Sequence, residues 1–160
     1  MTQLNPHKII TGELKNTAAV GAFNVILLEH AEAIVAGAEK VKLPVVLQIS
    51  QNCVDYHGAL KPIALASKVI AQDSSVNVSL HLDHAESELL VQEALDLGFD
   101  SIMFDGSKLT NENFTSFIKN IPFIIQQTDS VGSFEWDAFQ LHIFNLRTKD
   151  MVTPFFKNVF

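Results

Sequence analysis

A chain of 160 residues, 48% hydrophobic and 18% charged, is long enough for one domain with a real core and too apolar to be disordered. Its formal net charge of −7, with no run of Lys or Arg, argues against nucleic acid and anionic membrane as partners. The start, Met1 to Lys8, lacks the pattern of a signal peptide, no apolar run reaches the length of a membrane span, and the single cysteine, Cys53, excludes an internal disulfide framework and fits a reducing cytoplasm.

Residues 8–17 are expected to form a short leading helix around Ile9, Ile10 and Leu14, weakened by Gly12. Ala18 to Asn24 is small and apolar enough for a first strand buried on both faces. Leu27, Ala31, Ile34, Val35 and Ala38 then recur at helical spacing, with Glu29, Glu32, Glu39 and Lys40 mainly elsewhere around the wheel. Pro44 stops that helix and opens Val45 to Ser50, an apolar run of parallel-strand type. Gln51 to Gly58 reads as a polar loop, and Cys53 within it, with no base or cation beside it, as a buried or incidental thiol. Leu60, Ile63, Ala64, Ala66, Ser67 and Ile70 predict a second helix with Pro62 in its first turn. A third strand is expected over 77–81 and a third helix over 88–97, capped by Ser87 and closed by Gly98. The fourth strand is placed over 100–105, and Thr110 can cap a fourth helix in which Phe114, Phe117, Ile118 and Ile121 share a face.

Strand and helix thus alternate four times, the pattern of a parallel sheet with right-handed crossovers, either an open doubly wound sheet or a barrel. No glycine-rich phosphate loop follows the first strand, which lowers nucleotide and dinucleotide readings. Polar groups end strand after strand: Asn24, Ser50, Asp83 with His84, and Asp105. In a barrel those ends converge on one mouth, and this favours the barrel. The richest stretch is Val78-Ser79-Leu80-His81-Leu82-Asp83-His84-Ala85-Glu86. Strand alternation points His81 and Asp83 one way and Leu82 and His84 the other, until the strand ends and alternation lapses. Hydrogen-bonded surface polars would explain one His and one Asp; His-x-Asp-His between a buried strand and a capped helix points to chemistry.

Four stretches together resemble the class II, metal-dependent fructose-bisphosphate and tagatose-bisphosphate aldolases. They are Gly21-Ala22-Phe23-Asn24-Val25, Pro44-Val45-Val46-Leu47-Gln48-Ile49-Ser50, His81-Leu82-Asp83-His84 and Ser101-Ile102-Met103-Phe104-Asp105-Gly106-Ser107, in the family's order and spacing. The resemblance covers about residues 8–118 and implies an α/β fold of the (β/α)8 TIM-barrel type. It further implies reversible aldol cleavage of a phosphorylated sugar, most simply fructose 1,6-bisphosphate, to dihydroxyacetone phosphate and an aldehyde. By the same carry-over His84 matches a ligand of a catalytic Zn2+, and Asp83 matches the acid/base that exchanges a proton with the hydroxyl on the aldehyde-derived carbon. Asp105 matches a ligand of a second divalent-metal position, with a hydrogen-bonded turn residue as its alternative. Ser50 matches a substrate-facing hydroxyl and Asn24 a pocket amide. His81 is left as a packing group or one that orients a metal-bound imidazole.

The tail departs from the family. A catalytic zinc takes three protein ligands and an open position, and the family draws its other two histidines from late strands. Ser130 to Trp136 does not align with the family's glutamate-bearing strand, so Glu135 is not carried over, and His142 reads as an ordinary histidine. Phe123 to Gln127 is a candidate strand, Phe134 to Phe139 has no clear period, and residues 150–160 end in exposed-looking aromatics. The expected organisation is half an aldolase-type barrel over 1–120 and a tail of unassigned fold over 121–160, with truncation or a reading-frame change near 118–130. Such a chain is expected to have little activity alone and, if folded, to form a homo-oligomer. A non-catalytic half-barrel that binds a partner is the alternative, and a small enzyme with a new metal site from His84, Asp105 and His142 is a third.

Overall fold

A computed structural model describes residues 20–110, 112, 113 and 116, together with the backbone of 131–137 and 140–146. Four strands, β1 (Gly21–Asn24), β2 (Val45–Ser50), β3 (Val78–Ala85) and β4 (Ser101–Asp105), lie parallel in that order. Between them run α1 (Leu28–Val41), α2 (Gln51–His57), α3 (Lys61–Asp73) and α4 (Glu88–Asp96). A hairpin of β5 (Val131–Asp137) and β6 (Gln140–Leu146) completes the sheet, with β6 antiparallel to β4 and β5 outermost.

The strand sequences explain why one sheet face carries helices and the other carries polar groups. Val45, Leu47 and Ile49, Val78, Leu80 and Leu82, and Ile102 and Phe104 join a single core with Ala31, Val35, Ile63, Ala64, Val91 and Ala94 of the helices. Fully burying each of the larger side chains contributes roughly 1.5–3 kcal/mol. Alternation turns the intervening residues to the opposite face: Val46, Gln48 and Ser50; Ser79, His81 and Asp83; Ser101, Met103 and Asp105. Register aligns this second set into rows, Gln48 beside His81 and His81 beside Ser101, then Ser50 beside Asp83.

Helix ends follow their local chemistry. Ser87 Oγ accepts the Leu90 N–H at 3.2 Å at the start of α4, and Gly98 adopts φ 75 beyond its end. Lys68 of α3 donates its ammonium to the Leu97 carbonyl at 2.7 Å, satisfying an acceptor that the end of α4 leaves open. Thr110 Oγ1 accepts the Asn113 N–H at 3.3 Å, the cap expected for the fourth helix, most of which lies outside the described residues.

Several expectations differ from what is observed. The polar segment after β2 is a helix rather than a loop, because Ser50 Oγ accepts the Cys53 N–H at 3.3 Å and Gly58 ends the turn at φ 72. Its polar side chains face outward while Cys53 is buried, and burial raises the Cys53 thiol pKa. β1 is not buried on both faces: among the described residues it is an edge strand, and its Ala22, Phe23 and Asn24 are exposed. β3 continues past His81 to Ala85. Two segments of the tail form the antiparallel hairpin, for which no period was evident. The leading helix, the 123–127 strand and the terminal aromatics fall outside the described residues. No described helix is long and apolar enough to cross a membrane.

Candidate active site

Two adjacent residues of a regular strand cannot both face one site, yet Asp83 and His84 do. The register between β3 and β4 pairs Leu82 with Ile102 and then Ala85 with Phe104, so β3 carries one residue more than its neighbour. This bulge is made by His84 at φ 55, a left-handed conformation that costs a non-glycine residue roughly 1–2 kcal/mol. It turns the imidazole from the helix-covered side toward β4. There His84 Nδ1 lies 2.9 Å from Asp105 Oδ2, and Nε2 lies 3.9 Å from Asp83 Oδ1.

The cluster extends inward along the polar face. His81 is 9% exposed, its Nδ1 is 2.7 Å from Ser101 Oγ, and its Nε2 is 3.8 Å from Asp83 Oδ1. Asp83 therefore sits between an imidazole below it in the sheet and one on the open rim, where His84 is 48% exposed. Asp105 is a hydrogen-bonded turn residue and also a partner of His84. Its Oδ1 accepts the Ser107 N–H at 2.9 Å, as a turn residue would, while Oδ2 faces His84. Hydrogen bonding from Ser107 first, and from His84 second, lowers its pKa to about 2.

That depression has a sign. Asp105 titrates below its unfolded value of about 3.9, so its contribution to stability is complete above that pH and is lost as pH falls toward about 2. Denaturant midpoints of the parent and Asp105→Asn should accordingly differ most near pH 5 and converge on acidification toward about pH 2. A difference that stays constant across the range would show that the carboxylate contributes nothing through its ionised form.

Ser50 stands opposite Asp83 in the β2–β3 register, its hydroxyl already serving as the cap of α2. Asn24 ends β1, exposed, one row lower, opposite Gln48. All five sequence-nominated residues thus lie at the carboxyl ends of parallel strands; His84 lies against both Asp83 and Asp105, and Asn24 and Ser50 are on adjoining strands. The reading of residue types did not foresee Ser101 as the partner of His81. Nor did it foresee the outer rim, where Lys108 pairs with Glu86 and the Glu86 N–H donates to Gln51 Oε1 at 3.1 Å.

Imidazole and carboxylate are suitable donors for a divalent metal. Among the described residues, however, no group of three His, Cys, Asp or Glu side chains is arranged to hold one. His84 and Asp105 supply at most two of the three ligands of a catalytic zinc, and by themselves do not complete that site. His142 occupies β6 opposite Met103 and Glu135 in the register.

Residues 5–129 match the family model for fructose-bisphosphate aldolase class-II. The chain is 35% identical over 109 residues to a fructose-bisphosphate aldolase of Geobacillus stearothermophilus, covering 67% of this chain and 38% of that protein. It is 38% identical over 102 residues to a 6-phospho-5-dehydro-2-deoxy-D-gluconate aldolase of Shouchella clausii, covering 62% and 35%. The solved structure of the YdjI aldolase from Escherichia coli K12 superposes with a TM-score of 0.66 at 21% identity, over 79% of this chain and 49% of that one. The chain therefore spans less than two fifths of these curated relatives and about half of the solved one. Its four parallel strands and alternating helices have the arrangement of consecutive units of a (β/α)8 barrel, whereas β6, antiparallel to β4, departs from that pattern.

Proposed function

The chain belongs to the class II fructose-bisphosphate aldolase family, and on that premise we propose that it carries the acid/base half of an aldol-cleaving site. The substrate is a phosphorylated ketose, fructose 1,6-bisphosphate in the first instance, cleaved to dihydroxyacetone phosphate and glyceraldehyde 3-phosphate. The observation that carries this reading is the bulge that sets Asp83 and His84 side by side against Asp105 on the strand rim.

In this assignment Asp83 removes the proton from the hydroxyl on the carbon that becomes the aldehyde. The electron pair of that O–H closes the new carbonyl as the carbon–carbon bond breaks, leaving the enediolate of dihydroxyacetone phosphate. An acid/base must lie within hydrogen-bond reach of the proton it moves, and the position of Asp83 near the carboxyl end of β3 supports that role. His81, anchored on Ser101, orients Asp83, and the Ser50 hydroxyl and Asn24 amide contact the substrate's polar groups. The family's zinc, when bound, supplies a Lewis acid for the ketone oxygen; His84 is proposed as one ligand and Asp105 as a donor to a second divalent-metal position. A cytoplasmic location is proposed with the activity.

Because the resemblance places the family's two other zinc histidines on strands beyond the stretch that matches, the 160-residue polypeptide alone is expected to show no zinc-dependent cleavage of fructose 1,6-bisphosphate above background. A coupled assay of triose phosphate release, with and without added zinc and chelator, checks this. Turnover comparable to a full-length relative, abolished by chelator, would overturn the incomplete-site reading. A second reading, a non-catalytic half-barrel that binds a partner chain, is favoured by one feature: among the described residues β1 is an exposed edge.

A further inference from the structure

The short helix α2 touches the ends of three strands. Ser50, the last residue of β2, caps its start, and Gln51 in its first turn accepts the Glu86 N–H, just beyond β3, at 3.1 Å. Its later residues reach the connection that leaves β1. His57 Nε2 donates to the Ile26 carbonyl at 2.6 Å, and Cys53 Sγ lies 3.8 Å from the same oxygen. Four residues apart on a helix, the two side chains share one face, and so both meet one acceptor. A carbonyl oxygen can only accept, so His57 carries a proton on Nε2 and Cys53 keeps its proton on sulfur. Cys53 is 1% exposed, and burial raises its thiol pKa, which retains that proton.

Ile26 stands two residues beyond Asn24. Between them the Val25 N–H donates to the Gln48 carbonyl at 2.8 Å, and the Ile26 N–H faces His30 Nδ1 at 3.4 Å. The chain that leaves Asn24 is thus fastened first to β2 and then to α2. We propose that His57 and Cys53 are positioning residues: they hold the β1–α1 connection against α2 and thereby set the Asn24 amide relative to the Ser50 hydroxyl. Both of those polar groups are then referenced to one seven-residue helix, Ser50 through its cap on the Cys53 N–H and Asn24 through Ile26. His57 carries most of the effect, because an imidazole N–H is a strong donor and a thiol a weak one. The inference rests on the reading of Asn24 and Ser50 as contacts of the phosphorylated substrate, where a misplaced polar group costs both binding and orientation.

Nitrogen-15 NMR on the full chain tests this. His57→Phe keeps an aromatic ring at an exposed position and removes the donor, so its circular dichroism should match the parent. Its Asn24 side-chain amide resonances should move, and exchange of the Val25 amide should accelerate at least about tenfold, the order expected for loss of one hydrogen bond. Amides of β3 and β4 should keep parental exchange rates. His57→Gln restores an N–H donor and should return both signals toward the parent, a rescue that a purely structural role would not produce. Cys53→Ala should move the same signals by less, and Cys53→Ser should not. Parental Asn24 and Val25 signals in His57→Phe overturn the proposal, as do changes spread evenly over β2, β3 and β4, or failure of His57→Gln to restore them. Dihydroxyacetone phosphate added to the parent reads the premise separately. A shift of the Asn24 amide supports it as a substrate contact; no shift removes Asn24 from that role, while the His57 series still decides whether α2 sets its position.

Discussion

Replacing Asp83 by alanine is expected to lower kcat by about 10²- to 10⁴-fold, the span usual for loss of a general acid/base. The measurement requires a complete barrel: a chimera joining residues 20–110 of this chain to the second half of a full-length class II aldolase. The parent chimera should cleave fructose 1,6-bisphosphate and lose that activity to chelator, since its remaining metal ligands come from the second half. In Asp83→Ala the three neighbours that define the rim remain, namely His84, Asp105 and Ser50. KM should therefore move little while kcat falls, the signature of an interaction realised in the transition state. His81→Ala should produce a smaller loss, because that imidazole, 3.8 Å from the carboxylate, is proposed to orient Asp83 rather than to move the proton itself. An Asp83→Ala chimera retaining more than about a tenth of parental kcat would remove this carboxylate from the proton-transfer role.

Much of this arrangement is legible before any coordinates. Val45 to Ser50 announces a strand of parallel type through its apolar run, and Val78 to Leu82 announces a strand through its alternation of apolar and polar residues. Ser87 and Gly98 mark the two ends of α4 through the backbone groups that each can satisfy or the φ it can adopt. The family resemblance carried Asn24, Ser50, Asp83, His84 and Asp105 to one rim, and their strands do end there. What remained hidden has identifiable causes. The exposure of β1 depends on what lies beside it in space, and Ala22 and Phe23 read the same on an edge as in a core. The helix after β2 was concealed by its polar composition, although Ser50 and Gly58 bracket it with recognisable signals. The bulge at His84 leaves no trace in sequence, because histidine gives no sign of the left-handed conformation that glycine would advertise. Nor does Ala138-Phe139, between β5 and β6, contain the Asn-Gly or Asp-Gly pair that would reveal a hairpin.

A residue at the start of β4 is expected to bear on the site geometry. Asp100, 7% exposed, precedes β4 and grips Leu80 by both backbone groups: its own N–H donates to the Leu80 carbonyl at 2.9 Å, and its Oδ2 accepts the Leu80 N–H at 2.8 Å. The same oxygen receives the Ser79 hydroxyl at 3.4 Å. These contacts fix the start of β4 against β3, and the next step of the register is His81 beside Ser101. Asp100→Ala removes the charged acceptor but leaves the Leu80 N–H and the Ser79 hydroxyl buried, so the cost is set by two unsatisfied donors. A loss of about 3 kcal/mol in unfolding free energy is expected, read as a lowered denaturant midpoint with an unchanged m-value. Asp100→Asn retains an acceptor oxygen and should lose less than half as much. The consequence for the rim is separable from the loss of stability. If the Asp100 contacts hold the register, the His81 and His84 ring resonances of folded Asp100→Ala should shift by NMR. Unchanged histidine resonances in a destabilised variant would confine Asp100 to stability and leave the bulge itself as the only determinant of where Asp83 and His84 meet.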